Sequence, residues 1–241
     1  MTGTVIVVGV GALDGVGAAA SRRFAKQGHN VVAVGRTQEK IDAVAADIVS
    51  AGGSAEGVAA DVTSEAELDA LFEHAKSKGP LSAVIYNAGN NAIIPFSELT
   101  ADQFEGFWRV GCFGAFLVAK RAMPILAEQG EGSLLFTGAS GSMRGKPAFA
   151  HFAVMKAGLR MLSQSLAREY GPKGVHVAHV VVDGVIDGDM VRSRFGEYLE
   201  ALGEDGSLSP DAIADAFWFL HSQHRSAWTQ ELDLRPFKEN W

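Results

Sequence analysis

Two groups of residues have types and spacings that can do chemistry, one by holding phosphates and the other by moving a proton. The first is the run Gly9-Val10-Gly11-Ala12-Leu13-Asp14-Gly15-Val16-Gly17, which links a short apolar stretch to a helical one. A G-x-G-x-x-G fingerprint started at Gly9 fails at Asp14, whereas G-x3-G-x-G fits at Gly11, Gly15 and Gly17. Glycines there permit a tight turn and close backbone approach to a pyrophosphate, which the free N–H groups and dipole of the following helix favour. The plainer alternative is an ordinary glycine-rich turn. About 20 residues on, a site for NAD places an acid on the ribose 2′-hydroxyl. Arg36 stands there instead, and a guanidinium can receive a 2′-phosphate through paired charge-assisted bonds, which points to NADP(H) with NAD as the alternative. Asp14 complicates this, because an acid in the same turn repels the phosphate or occupies Arg36. The second comprises side chains able to hold or pass a proton or to orient a substrate, and which of them can do so depends on the elements that carry them.

The elements that must position these residues are legible as short apolar runs at 4–9, 30–35, 55–60, 81–86, 133–138, 175–182 and 231–234. Most are Val, Ile or Leu on both faces, as strands of a parallel sheet covered on both sides must be. Helical stretches lie between them, the first at 18–27. Ser64 with Glu67 and Thr100 with Gln103 fit capping boxes, Ser209-Pro210-Asp211 fits a cap followed by an N1 proline and a first-turn acid, and Gly28 fits a C-cap. Alternating strands and helices predict right-handed βαβ units. The expected fold is therefore a Rossmann-type doubly wound seven-stranded parallel sheet, in one domain over 1–241, with its ligand crevice at the carboxyl ends of the strands.

Composition narrows the function classes. Twenty-eight glycines against seven prolines suit many tight strand-to-helix turns. A net charge of -7 argues against a nucleic-acid binder and against a polybasic membrane anchor. The single cysteine, Cys112, closes no intrachain disulfide and reads as a small buried residue. No apolar run approaches the roughly 20 residues of a membrane span and no signal-peptide pattern opens the chain, so the expected setting is cytoplasmic.

With the glycine turn, Arg36, Asp61-Val62 and Asn87-Ala88-Gly89 each following a strand, the chain resembles the short-chain dehydrogenase/reductase family over nearly its whole length. The resemblance implies that Asp61 and Val62 lie at the adenine, that Asn87 and Gly89, with Ala88 between them, pass along the ribose, and that Lys156 holds the nicotinamide ribose hydroxyls. The stretch Val182-Asp183-Gly184-Val185-Ile186 resembles the family's segment beside the nicotinamide, where Asp183 replaces a usual Pro and the Ile186 backbone would bind the carboxamide.

The same comparison exposes three losses. The family uses a Tyr general acid/base, a Lys four residues later, a Ser thirteen residues before the Tyr, and an Asn on the fourth major helix. Here the Lys is present as Lys156, but the Tyr place holds Phe152, the Ser place Ala139 beside Ser140, and the Asn place Gly111. Residues that hold a cofactor remain, and residues that move a proton are gone. A positioned acid/base contributes about 10²- to 10⁴-fold, so a substitute is needed: Lys156 with its pKa lowered by burial, His151, Asp183, or Ser140 as an orienting hydroxyl.

Two readings follow. One is an NADP-dependent oxidoreductase with a non-standard site, passing hydride to or from a small organic substrate. The other is a silent NADP-binding sensor or partner subunit. Either is expected to form a homodimer or homotetramer, to which the aromatic-rich ending 228–241 would contribute. His221 and His224 read as a surface helix end rather than a metal site, and Phe104, Phe107 and Trp108 as core or subunit interface. The charged stretch 190–202 falls where the family covers its substrate, with Arg192 and Arg194 facing an anionic substrate or solvent.

Overall fold

The computed structural model describes residues 2–239. Trp241, part of the aromatic ending, lies outside them. Seven strands form one sheet: β1 (Thr4–Val8), β2 (Asn30–Gly35), β3 (Ser54–Ala59), β4 (Leu81–Tyr86), β5 (Ser133–Thr137), β6 (His176–Val182) and β7 (Glu231–Leu234). Their order is β3-β2-β1-β4-β5-β6-β7, with every neighbouring pair parallel. Strands β1, β5 and β6 are buried on both faces, while the edge strands β3 and β7 are only partly covered. That gradient is why the central strands are the most continuously apolar in sequence.

Eight α-helices cover the sheet: α1 (Val16–Ala25), α2 (Gln38–Ser50), α3 (Glu65–Ser77), α4 (Ala101–Trp108), α5 (Gly114–Gln129), α6 (Ala150–Tyr170), α7 (Asp189–Leu202) and α8 (Pro210–Ser222). One core joins Phe24 of α1, Ile41 and Ile48 of α2 and Phe217 of α8 to one face of the sheet. The other joins Leu68 and Phe72 of α3, Leu117 and Met123 of α5 and Leu159 of α6 to the opposite face. Burying each such side chain stabilises the fold by about 1.5–3 kcal/mol, so both layers are fixed to the sheet that carries the crevice. The stretch Ala101–Gln129 is long and apolar enough to cross a membrane, yet half of its most apolar window is buried in the fold.

Local start and stop signals behave unequally. Thr100 and Gln103 form the full capping box. Ser64 accepts from the Glu67 N–H, but the Glu67 carboxylate turns to the Asp61 N–H instead of closing the box. Pro210 opens α8 as expected, whereas the Ser209 side chain makes no cap bond. Helix α1 starts at Val16, two residues before the expected 18, and Gly28 closes the turn beyond it at a left-handed φ of +85°.

Candidate active site

The strand order reverses between β1 and β4, and the two carboxyl ends meet there. Gly9 leaves β1 at φ +89°, and a Cβ on it would come within 2.4 Å of the Ala88 nitrogen. A Cβ on Gly17 would approach the Gly9 carbonyl to 2.7 Å, so α1 can seat against the strand only through glycine. In front of Gly11 a Cβ would meet nothing within 4 Å. This open face continues into a cleft of about 540 Å³ lined by Gly11, Arg36, Thr37, Lys40, Asp61, Val62, Asn87, Ala88 and Gly89, among others. Leu13, Asp14, Gly15, Val16 and Gly17 do not line it; Leu13 is exposed, while Val16 and Gly17 are buried at the start of α1.

The floor of the cleft is held by polar bonds within the protein. Asn87 donates from its amide to the Gly9 carbonyl at 3.0 Å and accepts from the Thr137 hydroxyl at 3.0 Å. Its side chain therefore ties β1 to β5. Asp61 accepts from the backbone N–H and the hydroxyl of Thr63, both at 2.8 Å, and the backbone bond above all holds its carboxyl below the usual range. Arg36, Thr37 and Lys40 are exposed at the rim, and among the described residues neither Arg36 nor Lys40 makes an ion pair. Asp14 does not occupy Arg36: its partner is Arg192 of α7, at 3.4 Å. Thr37 and Lys40 were not singled out from the sequence, although a second cation one helical turn after Arg36 was a signal for them.

Beyond the residues that line the cleft, behind Gly89, the polar groups are few. Lys156 is buried on α6, where its ammonium donates to the Thr137 carbonyl at 2.7 Å and lies 5.9 Å from the centre of the Phe152 ring. Desolvation pulls its pKa down to about 8. The Phe152 ring packs on Gly141, where a Cβ would come within 2.8 Å of it. A Cβ on Gly111 would come within 1.9 Å of the Met155 sulfur, so a thioether fills the ground a longer side chain at 111 would need. Gly111 lies in a π-helical turn, Arg109–Phe113, whose Val110 carbonyl accepts the Tyr86 hydroxyl.

The remaining proton-transfer candidates are spread apart. Ser140 opens a 3₁₀ turn, Ser140–Ser142, and its carbonyl accepts from Met143 and Arg144. Behind this turn, Ser142 lies 3.3 Å from His179, His179 lies 3.1 Å from Glu231, and Arg160 donates twice to Glu231 at 2.7 Å. With Glu231 ionised, His179 donates from Nδ1 and its Nε2 accepts the Ser142 hydroxyl, which in turn accepts the Ala139 N–H at 3.2 Å. The chain fixes the turn to β6 and β7.

Asp183 is not a free acid. Its side chain is 3% exposed, with the Arg144 guanidinium at 2.9 Å and Arg235 at 3.8 Å. His151 is buried on α6 with its ring 4.2 Å from that of Phe107, and burial lowers its pKa. In the structure Asp183 is thus held as a counter-ion and His151 as a packed ring. Phe107 itself lines the cleft, while Phe104 and Trp108 are partly exposed. Ile186 pairs with Leu208 in an isolated bridge, and its carbonyl accepts the Gly188 N–H at 3.0 Å. His221 is half-buried: it lies 3.0 Å from the Ser133 hydroxyl, and burial pulls its pKa to about 4. Cys112 is half-buried with its sulfur against Gly158.

A doubly wound parallel sheet, with a glycine turn and a cleft of about 540 Å³ at its switch point, defines a Rossmann-type α/β protein of the nucleotide-binding class. The short chain dehydrogenase model matches residues 4–198, and the chain belongs to that family of oxidoreductases. The oxidoreductase asL5 of Sarocladium schorii is 32% identical over 207 residues, covering 86% of this chain and 78% of that protein. The 3beta-hydroxysteroid dehydrogenase 1 of Eggerthella lenta is 31% identical over 229 residues, covering 90% and 87%. A crystal structure of a short-chain dehydrogenase from Rhodopseudomonas palustris superimposes with a TM-score of 0.83 at 35% identity, covering 98% of this chain and 99% of that one.

Proposed function

We propose that the protein is an NADP(H)-dependent oxidoreductase that reduces or oxidises a small organic substrate without a tyrosine acid. The observation that carries this reading is Lys156: a buried ammonium, with the Thr137 carbonyl as its hydrogen-bond partner, beside a ring that has no hydroxyl. Preference for the 2′-phosphate rests on Arg36, Thr37 and Lys40 sharing one exposed rim. Gly11, Asp61, Val62, Asn87, Ala88 and Gly89 would line the adenosine half, and Lys156 and the Ile186 backbone the nicotinamide half. A bound reduced nicotinamide supplies hydride.

Lys156 then supplies the proton. Its pKa of about 8 keeps a large protonated fraction at neutral pH while making the ammonium a better acid than in water. The Lys156 ammonium would give one proton to the reduced substrate, and the neutral amine would recover a proton from solvent. The Ser140 hydroxyl orients the substrate from a turn held by Ser142 and His179. Carbonyls that are strongly polarised, iminium groups and activated alkenes are the substrates that need least help from an acid.

A second reading, a cofactor-binding sensor or partner subunit without turnover, is favoured by one observation: Met155 fills the space at Gly111, so the reacting end is closed on that side by apolar packing. In either case we infer a single cytoplasmic domain acting as a homodimer or homotetramer. Exposed Phe116 on α5 and Val154 and Met161 on α6 support that assembly. Titration with NADPH and NADH by cofactor fluorescence, followed by a carbonyl and imine panel at saturation, tests both. NADPH binding with turnover supports the enzyme, binding without turnover on the panel supports the sensor, and binding of neither nucleotide overturns both.

A further inference from the structure

Arg192 of α7 joins two parts of the crevice that are 178 and 5 residues away in sequence, Asp14 and Asp187. Its Nη1 lies 3.4 Å from the Asp14 carboxylate, and its Nε donates to Asp187 at 2.6 Å. Asp14 belongs to the glycine turn, and Asp187 follows the segment assigned to the nicotinamide half. The guanidinium therefore bridges the glycine turn, at which a dinucleotide would carry its pyrophosphate, and the segment that follows β6. The lips also approach through the backbone: a Cβ on Gly188 would lie 3.6 Å from the Asp14 carbonyl.

Both acids face a problem once a dinucleotide is bound. Asp14 would stand in the same turn as two phosphates, and like charges this close repel. Arg192 is the cation within ion-pair distance of the Asp14 carboxylate. Its tie to Asp187 is the shorter one, and that hydrogen bond is what holds the Asp187 carboxyl below its usual range. Asp187 thus anchors the guanidinium by one edge, leaving the edge toward Asp14 on a long contact that a better acceptor can displace.

Resting on the NADP(H) reading above, we propose that Arg192 is a pyrophosphate-binding residue, parked on Asp14 in the free protein and transferred to the cofactor phosphates when the dinucleotide binds. Asp187 keeps the guanidinium aimed throughout. Asp14 acts as a competitor for the same donor, which sets it apart from every other residue of the turn.

The test compares Arg192→Gln and Asp14→Asn in titrations with NADPH and with adenosine 2′-monophosphate, a probe that reaches Arg36 but has no pyrophosphate. Arg192→Gln is expected to weaken NADPH about tenfold, as loss of one charge-assisted phosphate contact does, and to leave adenosine 2′-monophosphate unchanged. Asp14→Asn is expected to tighten NADPH. If the pair were only a structural tie, both variants would shift NADPH in the same direction, and that result overturns the proposal. An equal loss for the two ligands in Arg192→Gln overturns it as well, by making the effect a general field. Failure of the unmodified protein to bind either ligand overturns the NADP(H) reading itself.

Discussion

The two ends of the cleft spend their polar groups differently. At the adenosine end, Arg36, Thr37 and Lys40 stand at an exposed rim, and the floor beneath them is tied by Asn87. Behind Gly89, where the proposed reading puts the reacting end, Phe152 lies on Gly141, Met155 fills the space at Gly111, and the Lys156 ammonium lies 3.5 Å from where a Cβ on Gly89 would stand. Binding is a sum of several modest contacts and survives the exchange of any one. Proton transfer depends on a few placed atoms, so on the reading proposed above the residues at 111, 139 and 152 would change the chemistry while the fold around them is kept. The ring of Phe152 and the sulfur of Met155 restore packing at these places without restoring acidity.

The largest effect that could break this contrast is expected at Lys156. Lys156→Met should lower the rate on any substrate the protein turns over by about 10²- to 10⁴-fold, and Lys156→Arg should lower it nearly as much because an arginine does not titrate in this range. In the unmodified protein the reduction rate should fall as pH rises through about 8, since the acid form of Lys156 disappears there. Single-turnover rates against pH check both statements. A Lys156→Met protein with an unchanged rate would return the proton to another group.

Next in size is an acid effect that separates the crevice from the rest of the molecule. His179, under the 3₁₀ turn, and His221, at the opposite end of the sheet, both have pKa values lowered by burial to about 4. The unfolded chain binds these protons near pH 6.5, so stability is fully present above that pH and is lost as pH falls toward 4. Each group should remove about 2 kcal/mol by pH 5. Urea unfolding at pH 7, 6 and 5 measures the slope. His221→Gln should flatten it while leaving cofactor affinity at pH 7 unchanged, whereas His179→Gln should also disturb the Ser140–Ser142 turn.

A smaller effect probes why the family's amide cannot simply be restored. Gly111→Asn places a Cβ 1.9 Å from the Met155 sulfur and should destabilise the protein by about 1–3 kcal/mol through overpacking. Adding Met155→Ala should recover most of that loss in chemical denaturation. Phe152→Tyr alone should raise ketone reduction less than about tenfold, well short of what a fully placed acid contributes, because Ala139 and Gly111 leave its hydroxyl without partners. A large rise from Phe152→Tyr alone would show that the reacting end is one atom from the usual chemistry.

What the sequence made legible was whatever repeats locally. Short runs with apolar residues located all seven strands to within about one residue, most plainly the central ones, where burial on two faces leaves little room for polar residues. The glycines were legible because only a missing Cβ permits the approaches at Gly9 and Gly17. Partners distant in the chain were not. Nothing near Asp14 announces Arg192, nothing near His179 announces Glu231, and Asp183 looks free until Arg144 and Arg235 are folded onto it. His221 carries a surface signal in its helix-end position, but the N-terminal ends of β4 and β5 bring Ser82 and Ser133 to it. The π-helical turn escapes any 3.6-residue pattern, and the tyrosine that bonds its Val110 carbonyl stands on a strand 24 residues earlier.

The finest distinction lies within the adenosine rim, where Arg36 and Lys40 share one exposed surface. Arg36 offers a planar fork that can pair with two phosphate oxygens, whereas Lys40 offers a point charge on a flexible stem. Arg36→Ala should therefore weaken NADPH by about tenfold and NADH hardly at all, and Lys40→Ala should weaken NADPH only about two- to fourfold, in the range of an exposed ion pair. Both losses should shrink in 0.5 M salt, where charges this exposed are screened within a few ångströms. Titrations of the two variants with both nucleotides, at low and high salt, separate a fork from a point charge. Equal losses for NADPH and NADH would mean that the rim reads something common to the two, and the 2′-phosphate would no longer be what Arg36 is placed to meet.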